Sequence, residues 1–389
     1  MMSGQVKTRV CIITVAHEAR DERIFHKQAL SLTGAGYDVG MIAPWAASEE
    51  SGPVRKLPLP EFHGRVDRLV RGAWRALTMA WRERAAVYHF HDPELLPVGL
   101  ALKLSGHRVI YDVHEDYSRK ILSRQLPRIL RTIASKGLRG FEAVCAWSFD
   151  HIITADSHVA SLFAAAKTTV IANYPPLDFV QSSAAPSSCR HDAAFRIVYV
   201  GGISHSRGIG KILDAVDLIN DPPVEFHLAG NVSDAGLLVR LKSHPRVVYH
   251  GVLPWEQVSG LLTQADVGML ALQPIPAFEY CPGENIIKLW EYLGVGLPVI
   301  ISNFPKLKKL IEELDAGMSV DPTNSAAIAD AIRVLGNNTA LRLRLGENGR
   351  AAVLKERNWE AEAIKLVQIY RRILSGRQHD CFPQREACG

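Results

Sequence analysis

Short apolar runs alternate with segments of helical periodicity along nearly the whole chain, and that alternation leaves few folds open. Residues 10–16 form a first apolar run, and residues 23–35 carry Ile24, Leu30 and Leu32 at helical spacing. Gly36 and Tyr37 close that segment, and residues 38–43 are apolar again. A strand, a helix and a strand in that order signal a parallel sheet with crossover helices. Further strands are predicted at 87–90, 108–113, 151–154 and 169–172, with helices between them. Asn173-Tyr174-Pro175-Pro176 and a Ser/Ala-rich stretch over 181–194 then interrupt the pattern as a linker would. The alternation restarts with strands at 195–200, 225–229, 247–250, 267–270 and 299–301, and helices at 208–219, 235–243 and 255–265. The reading is α/β, with two doubly wound Rossmann-like units in tandem and ligands bound in a crevice at the carboxyl ends of the strands. It places the domains at 1–175 and 195–356, a linker at 176–194, a last helix at 357–375 and a disordered tail at 376–389.

A chain of 389 residues has room for two cores, and 47% hydrophobic with 22% charged residues is an ordinary globular composition. No apolar run is long enough to cross a bilayer. The start leads into a strand rather than a signal core, so a cytoplasmic protein is expected. Cys11, Cys145, Cys189, Cys281, Cys381 and Cys388 are scattered and read as free thiols of a reducing compartment. No Asp-x-Asp and no His/Cys cluster with metal spacing occurs, so no metal is expected. The net charge is +5, yet residues 61–139 hold fifteen Lys/Arg against eight Asp/Glu. The positive excess therefore lies in the first half.

Residues 284–298 read Glu-Asn-Ile-Ile-Lys-Leu-Trp-Glu-Tyr-Leu-Gly-Val-Gly-Leu-Pro and run into the apolar residues 299–301. Ile286, Leu289, Trp290 and Leu293 recur at helical spacing, and Gly294 and Gly296 end the helix. Lys288 and Glu291 are neighbours on one face. A cation beside a carboxylate suits a ligand with phosphate and sugar hydroxyls, or is simply a surface ion pair.

This stretch resembles the signature helix of retaining GT-B glycosyltransferases of family 4. The match runs through Lys288-Leu289-Trp290-Glu291-Tyr292, Gly296, Pro298-Val299-Ile300 and Ser302. The resemblance implies a nucleoside diphosphate sugar as donor, with Glu291 on the ribose, Lys288 on the diphosphate and Leu289 in the donor site. The family often has a second glutamate seven residues earlier. Gly283 stands there, and Glu284 is one position late. Glu284 is carried over as its replacement, facing the sugar.

Phe195 to Gly208 reads as a strand, a glycine turn and a helix start, which is a ready phosphate site. The resemblance assigns Gly201, Gly202, Arg207 and Lys211 to the donor phosphates. Many relatives have arginine where Gly202 stands. Gly230, and Val252 and Leu253 after Gly251, resemble the loops that hold the base. In the first half, His91 ends one strand within His-Phe-His-Asp-Pro, and His114 ends the next within Asp-Val-His-Glu-Asp. Imidazoles at such positions can orient hydroxyls or stabilise phosphate, although a lone histidine is often structural. A histidine matching His91 contacts the transferred sugar in the family; His114 is the second choice. Asp112, Glu115 and Asp116 would bind acceptor hydroxyls, act in acid/base steps or form ion pairs. Asp21 and Arg23, in an Asp-x-Arg-Ile-Phe stretch, would touch the acceptor, though helix capping also explains Asp21. A terminal helix crossing back to the first domain, a central cleft and metal-independent chemistry are further implications.

Val66, Leu69, Val70, Ala73, Trp74, Leu77 and Trp81 form one apolar helical stripe flanked by Arg65, Arg68, Arg71, Arg75, Arg82 and Arg84. Lys120, Arg124, Arg128, Arg131 and Lys136 stand among Ile121, Leu122, Ile129, Leu130 and Ile133. Such helices lie on an anionic membrane or turn the stripe into the core. Nucleic acid is not expected, because no aromatic platform accompanies the charge. The function expected is transfer of a sugar to a glycan or lipid-linked acceptor for a cell-surface polysaccharide or glycoconjugate. Nucleotide-sugar epimerases share the fold, and an inactive partner subunit would keep it too.

Overall fold

The structure, a computed structural model, describes residues 7–376 apart from 51, 123–126, 183–193, 277, 279 and 281. The chain divides into two compact units, Met1–Ala172 with Glu362–Gly389, and Asn173–Ala361.

The first unit is built on β1 (Arg9–Ile13), β2 (Asp38–Ala43), β3 (Arg55–Pro58), β4 (Val87–Phe90), β5 (Arg108–Val113), β6 (His151–Thr154) and β7 (Thr168–Val170). All run parallel, in the order β3-β2-β1-β4-β5-β6-β7. The order reverses between β1 and β4, where the connections leave to opposite sides and open a crevice at the carboxyl ends. β3 was not expected from the sequence. It is an edge strand of Arg-Lys-Leu-Pro, whose charge and proline hide a strand signal while suiting an edge.

Alternation along the strands gives the sheet two different faces. Ile13, Tyr88, Phe90, Val109 and Tyr111 form one core with the helices Ala73–Glu83, Leu96–Leu104 and Arg128–Ser148. Phe90 stacks on Tyr111 at 4.7 Å between centroids. His89, His91 and Asp112 are on the other face, where Gln28 of the helix Glu22–Ala29 and Tyr370 of the helix Trp359–Ser375 reach them. That last helix joins the first unit from Glu362 onward, where the Glu362 carboxylate accepts the Ala172 N–H at 3.1 Å.

The second unit has β8 (Phe195–Val200), β9 (Val224–Ala229), β10 (Val247–Tyr249), β11 (Val267–Leu270), β12 (Val299–Ser302) and β13 (Gly317–Val320). They too are parallel, in the order β10-β9-β8-β11-β12-β13, reversing between β8 and β11. The expected linker is in part structured. Residues Leu177–Ser182 form a helix with Phe179 and Val180 buried, and Val180 packs on Gly294 of the second unit. Residues 183–193 of that stretch and 377–389 of the expected tail lie outside the described residues. Cys11 and Cys145 are buried free thiols, and the other four cysteines lie outside the described residues. No described helix is long and apolar enough to cross a membrane.

Candidate active site

In the second unit the reversal point of the sheet is a glycine turn. β8 ends in Tyr199-Val200, and Gly201 takes φ 118°, a conformation that side chains rarely adopt. A Cβ there would lie 2.3 Å from the Lys288 ammonium, so the lysine occupies the space a side chain would need. Lys288 projects from the helix Ile287–Gly294 and donates to the Tyr199 hydroxyl at 3.0 Å, with its nitrogen 4.4 Å from the ring centroid. Burial, and then the charge of Arg207, push its pKa down to about 7 against the attraction of Glu291. Arg207 stands just before Gly208 and the helix Ile209–Asp217. Its guanidinium lies over the Phe278 ring at 4.6 Å, and it has no ion pair among the described residues. Lys211, one turn into that helix, is exposed. Two cations thus act on one another at a glycine turn and a helix N-terminus, both of which favour an anion. Gly202 has open space around it, and its carbonyl accepts the Tyr199 hydroxyl at 2.8 Å.

The carboxylates lie around the same helix. Glu291 is buried one turn beyond Lys288. Trp290 donates its indole N–H to the Gly283 carbonyl at 3.0 Å, anchoring the loop that enters the helix. Gly283 has φ 91°, and a Cβ there would meet a Leu310 methyl at 2.7 Å, so no glutamate fits at 283 without rearrangement. Glu284, half-buried, is the next carboxylate along the chain. The Leu289 side chain is fully buried against Gly283, so it shapes the loop from beneath. Gly230 donates to the Gly251 carbonyl at 2.7 Å, tying the ends of β9 and β10 together. Beside them Val252 is 72% exposed and Leu253 half-buried.

In the first unit the polar residues hold one another. The register pairs Ile13 with Phe90 and Phe90 with Tyr111, which brings His91 next to Asp112 and His114. Asp112 is fully buried and accepts from Arg23 Nη2 at 3.0 and 3.1 Å and from Gln28 Nε2 at 2.5 Å. Burial opposes its charge, but the Arg23 guanidinium together with His89, His114 and His91 outweighs burial and holds the carboxyl well below the usual range. Arg23 also donates to the Ile171 carbonyl at 2.7 Å and is itself buried. Arg23 and Asp112 are therefore paired with each other, which is the ion-pair alternative expected for Asp112. Asp21 caps the helix Glu22–Ala29 by accepting the Arg23 and Ile24 N–H groups at 2.9 Å, the simpler of its two expected roles. Glu115 pairs with Lys120 at the surface.

His91 is fully buried, and its Nδ1 lies 3.1 Å from His114 Nε2 and 3.6 Å from the Asp112 carboxylate. Burial, reinforced by His89, holds His91 neutral, and burial pushes His114 down to about 3 despite Asp112. The neighbouring carboxylate favours the proton on Nδ1, which leaves Nε2 as a lone-pair acceptor. That Nε2 has no hydrogen-bond partner among the described residues although it is buried, the mark of a group held for a ligand or strained in its absence. His89, His91 and Asp112 also have ligand atoms within 4.8 Å of one another, a spacing that a metal ion could use. A cation there would face the Arg23 guanidinium already bonded to Asp112, so this donor set fits a hydrogen-bond network better.

Four residues of these networks were not singled out from the sequence. His17 lies between Asp21 (3.6 Å) and Asp92 (3.4 Å), and its pKa is raised because those carboxylates outweigh its burial. Tyr199, Gln28 and Tyr370 carry no motif. Tyr370 is distant in sequence from His89, to whose Nδ1 its hydroxyl bonds at 2.9 Å. The one available signal was strand alternation, which puts His89 on the same face as His91.

Two parallel-sheet units of this topology in tandem form the GT-B fold. Residues 11–173 match the family model described as "Glycosyl transferase 4-like domain", and residues 194–338 the one described as "Glycosyl transferases group 1". The chain belongs to the GT-B glycosyltransferases. Over 92 residues it is 30% identical to a phosphatidyl-myo-inositol mannosyltransferase of Mycobacterium leprae, a stretch that covers 23% of this chain and 24% of that protein. In fold it is similar to a sucrose-phosphate synthase from Thermosynechococcus elongatus, with TM-score 0.74 and 20% identity over 95% of this chain and all of that one. It is likewise similar to HepE of Anabaena in complex with UDP, with TM-score 0.69 and 14% identity over 95% of this chain and 100% of that one.

Proposed function

We propose that this protein transfers a sugar from a nucleoside diphosphate sugar to a glycan or lipid-linked acceptor, with retention of configuration and without a metal ion. The observation that carries this reading is the half-buried Lys288, its pKa lowered to about 7, beside an Arg207 with no ion pair among the described residues, at the glycine turn of the second unit. Two cations that repel one another, with Glu291 as the carboxylate that attracts Lys288, favour a multiply charged anion beside them. A diphosphate supplies that charge, and the helix Ile209–Asp217 adds its N-terminal dipole. In this reading Glu291 holds the ribose, Gly230, Val252 and Leu253 the base, and Glu284 the sugar. His91 would accept a hydroxyl hydrogen of the transferred sugar at Nε2, with His114 fixing its tautomer. The departing diphosphate, stabilised by Lys288 and Arg207, takes the acceptor proton, so no protein nucleophile is needed. HepE was solved with UDP, which makes UDP the first ligand to try.

The test is thermal stabilisation by nucleoside diphosphates, with and without EDTA, for the wild type and Glu291→Ala. Stabilisation that survives EDTA and is lost in the variant supports the metal-free donor site. Absence of stabilisation by every diphosphate overturns it.

A further inference from the structure

Two helices of the first unit are packed the opposite way round from what their composition suggests. The helix Ala73–Glu83 buries Ala76 and Ala80 against the sheet and leaves Trp74 64% and Trp81 43% exposed. Just before it, Val66 is 76% exposed, and Leu69 and Val70 are exposed as well. The helix Arg128–Ser148 buries Ser135, Glu142, Cys145 and Ala146. It exposes Ile129, Leu130, Ile133, Phe141 and Val144, and Trp147 reaches 81% exposure. Both helices flank Leu96–Leu104 on the same side of the sheet, so their outer surfaces belong to one layer. Small residues facing a core and tryptophans facing solvent are the reverse of an ordinary surface helix. A patch of this kind marks an interaction site.

The exposed charge on these helices has one sign, although Arg71 also pairs with Asp67 at 3.0 Å. Arg71, Arg75, Arg82, Arg128 and Lys136 are exposed. The carboxylates on these helices are turned in: the side chains of Asp67 and Glu83 are 14% exposed and that of Glu142 5%. Beside Trp74 a groove of about 480 Å³ is lined by Arg71, Arg75 and Arg82 with Thr78 and Met79. Arg75 and Arg82 have no ion pair among the described residues. Arginines around a groove, next to apolar side chains long enough to enter acyl chains, complement a phosphate headgroup and the hydrocarbon beneath it.

We infer that this outer layer docks the protein on an anionic phospholipid bilayer, with Arg71, Arg75 and Arg82 on a headgroup phosphate and Trp74, Trp81 and Trp147 in the interface. The docking deepens the lipid-linked branch of the proposed function but needs no donor, so either reading can fail without the other.

The experiment is co-sedimentation of the full chain with phosphatidylcholine vesicles, with and without phosphatidylglycerol. It compares wild type, Trp74→Ser/Trp81→Ser and Arg71→Gln/Arg75→Gln/Arg82→Gln. The wild type binds the anionic vesicles with a blue shift in tryptophan emission. The triple arginine variant binds about 100-fold more weakly. The tryptophan variant loses both binding and shift, and both variants keep the wild-type melting temperature because the altered side chains are exposed. Retained vesicle binding in both variants overturns the inference. So does a wild type that ignores anionic vesicles, or one that instead forms a dimer in sedimentation equilibrium that Trp74→Ser/Trp81→Ser dissociates.

Discussion

The reversal points of the two sheets are built from similar parts and treat charge in opposite ways. In the first unit every strong charge near the strand ends has a partner: Arg23 with Asp112, His17 with Asp21 and Asp92. In the second unit Lys288 rests on a tyrosine and Arg207 on a phenylalanine ring. One site stabilises the fold through its polar groups. On the proposed function the other would hold its cations ready for an anion, a division expected where binding energy is reserved for a ligand.

The sharpest way to break this comparison is to remove a partner in the first unit. Arg23→Met leaves the Asp112 carboxylate buried beside no guanidinium and should cost about 3–5 kcal/mol in urea denaturation. A loss near zero would mean the pair does not support the fold. In the second unit the expectation is the reverse. Lys288→Met should leave the ligand-free melting temperature unchanged or raised, while the diphosphate dissociation constant measured by calorimetry rises about 10- to 100-fold. A variant that unfolds early and still binds would invert the assignment.

pH sharpens the same contrast. Lys288 falls from 10.5 to about 7 on folding, so between these values the unfolded chain binds the extra proton. Its contribution to ligand-free stability therefore rises with pH through that window. Diphosphate binding needs the ammonium and should weaken by up to about tenfold per pH unit above 7. Lys288→Arg should abolish that dependence. If affinity is flat from pH 7 to 9, Lys288 does not meet the phosphates. The smallest effect belongs to Tyr370→Phe, which removes one hydrogen bond from His89 and should cost about 1 kcal/mol, read as a shift in the urea midpoint.

Much of this was legible in the sequence because strands and helices announce themselves locally. Nearly every strand of both sheets is a short apolar run, and residues 284–302 carried the helix that presents Lys288 and Glu291. Two strands were not read. β3 is charged and proline-terminated, and β13, Gly-Met-Ser-Val, lacks a run of branched residues. At the site, the glycine turn and its basic residues could be named from the sequence. That Leu289 lies in the core and that Arg23 closes on Asp112 could not.

The order of apolar segments, set by backbone periodicity, determined the tandem α/β architecture, and the glycines and cations at strand ends marked where a ligand would sit. Only the tertiary structure decided which side of each helix is buried. A helical stripe has no direction until a sheet takes one face, and here the sheet took alanines and left Trp74 and Trp81 outside. It likewise decided which charges are paired, because Arg23 and Asp112 are brought together by strand order rather than by sequence spacing.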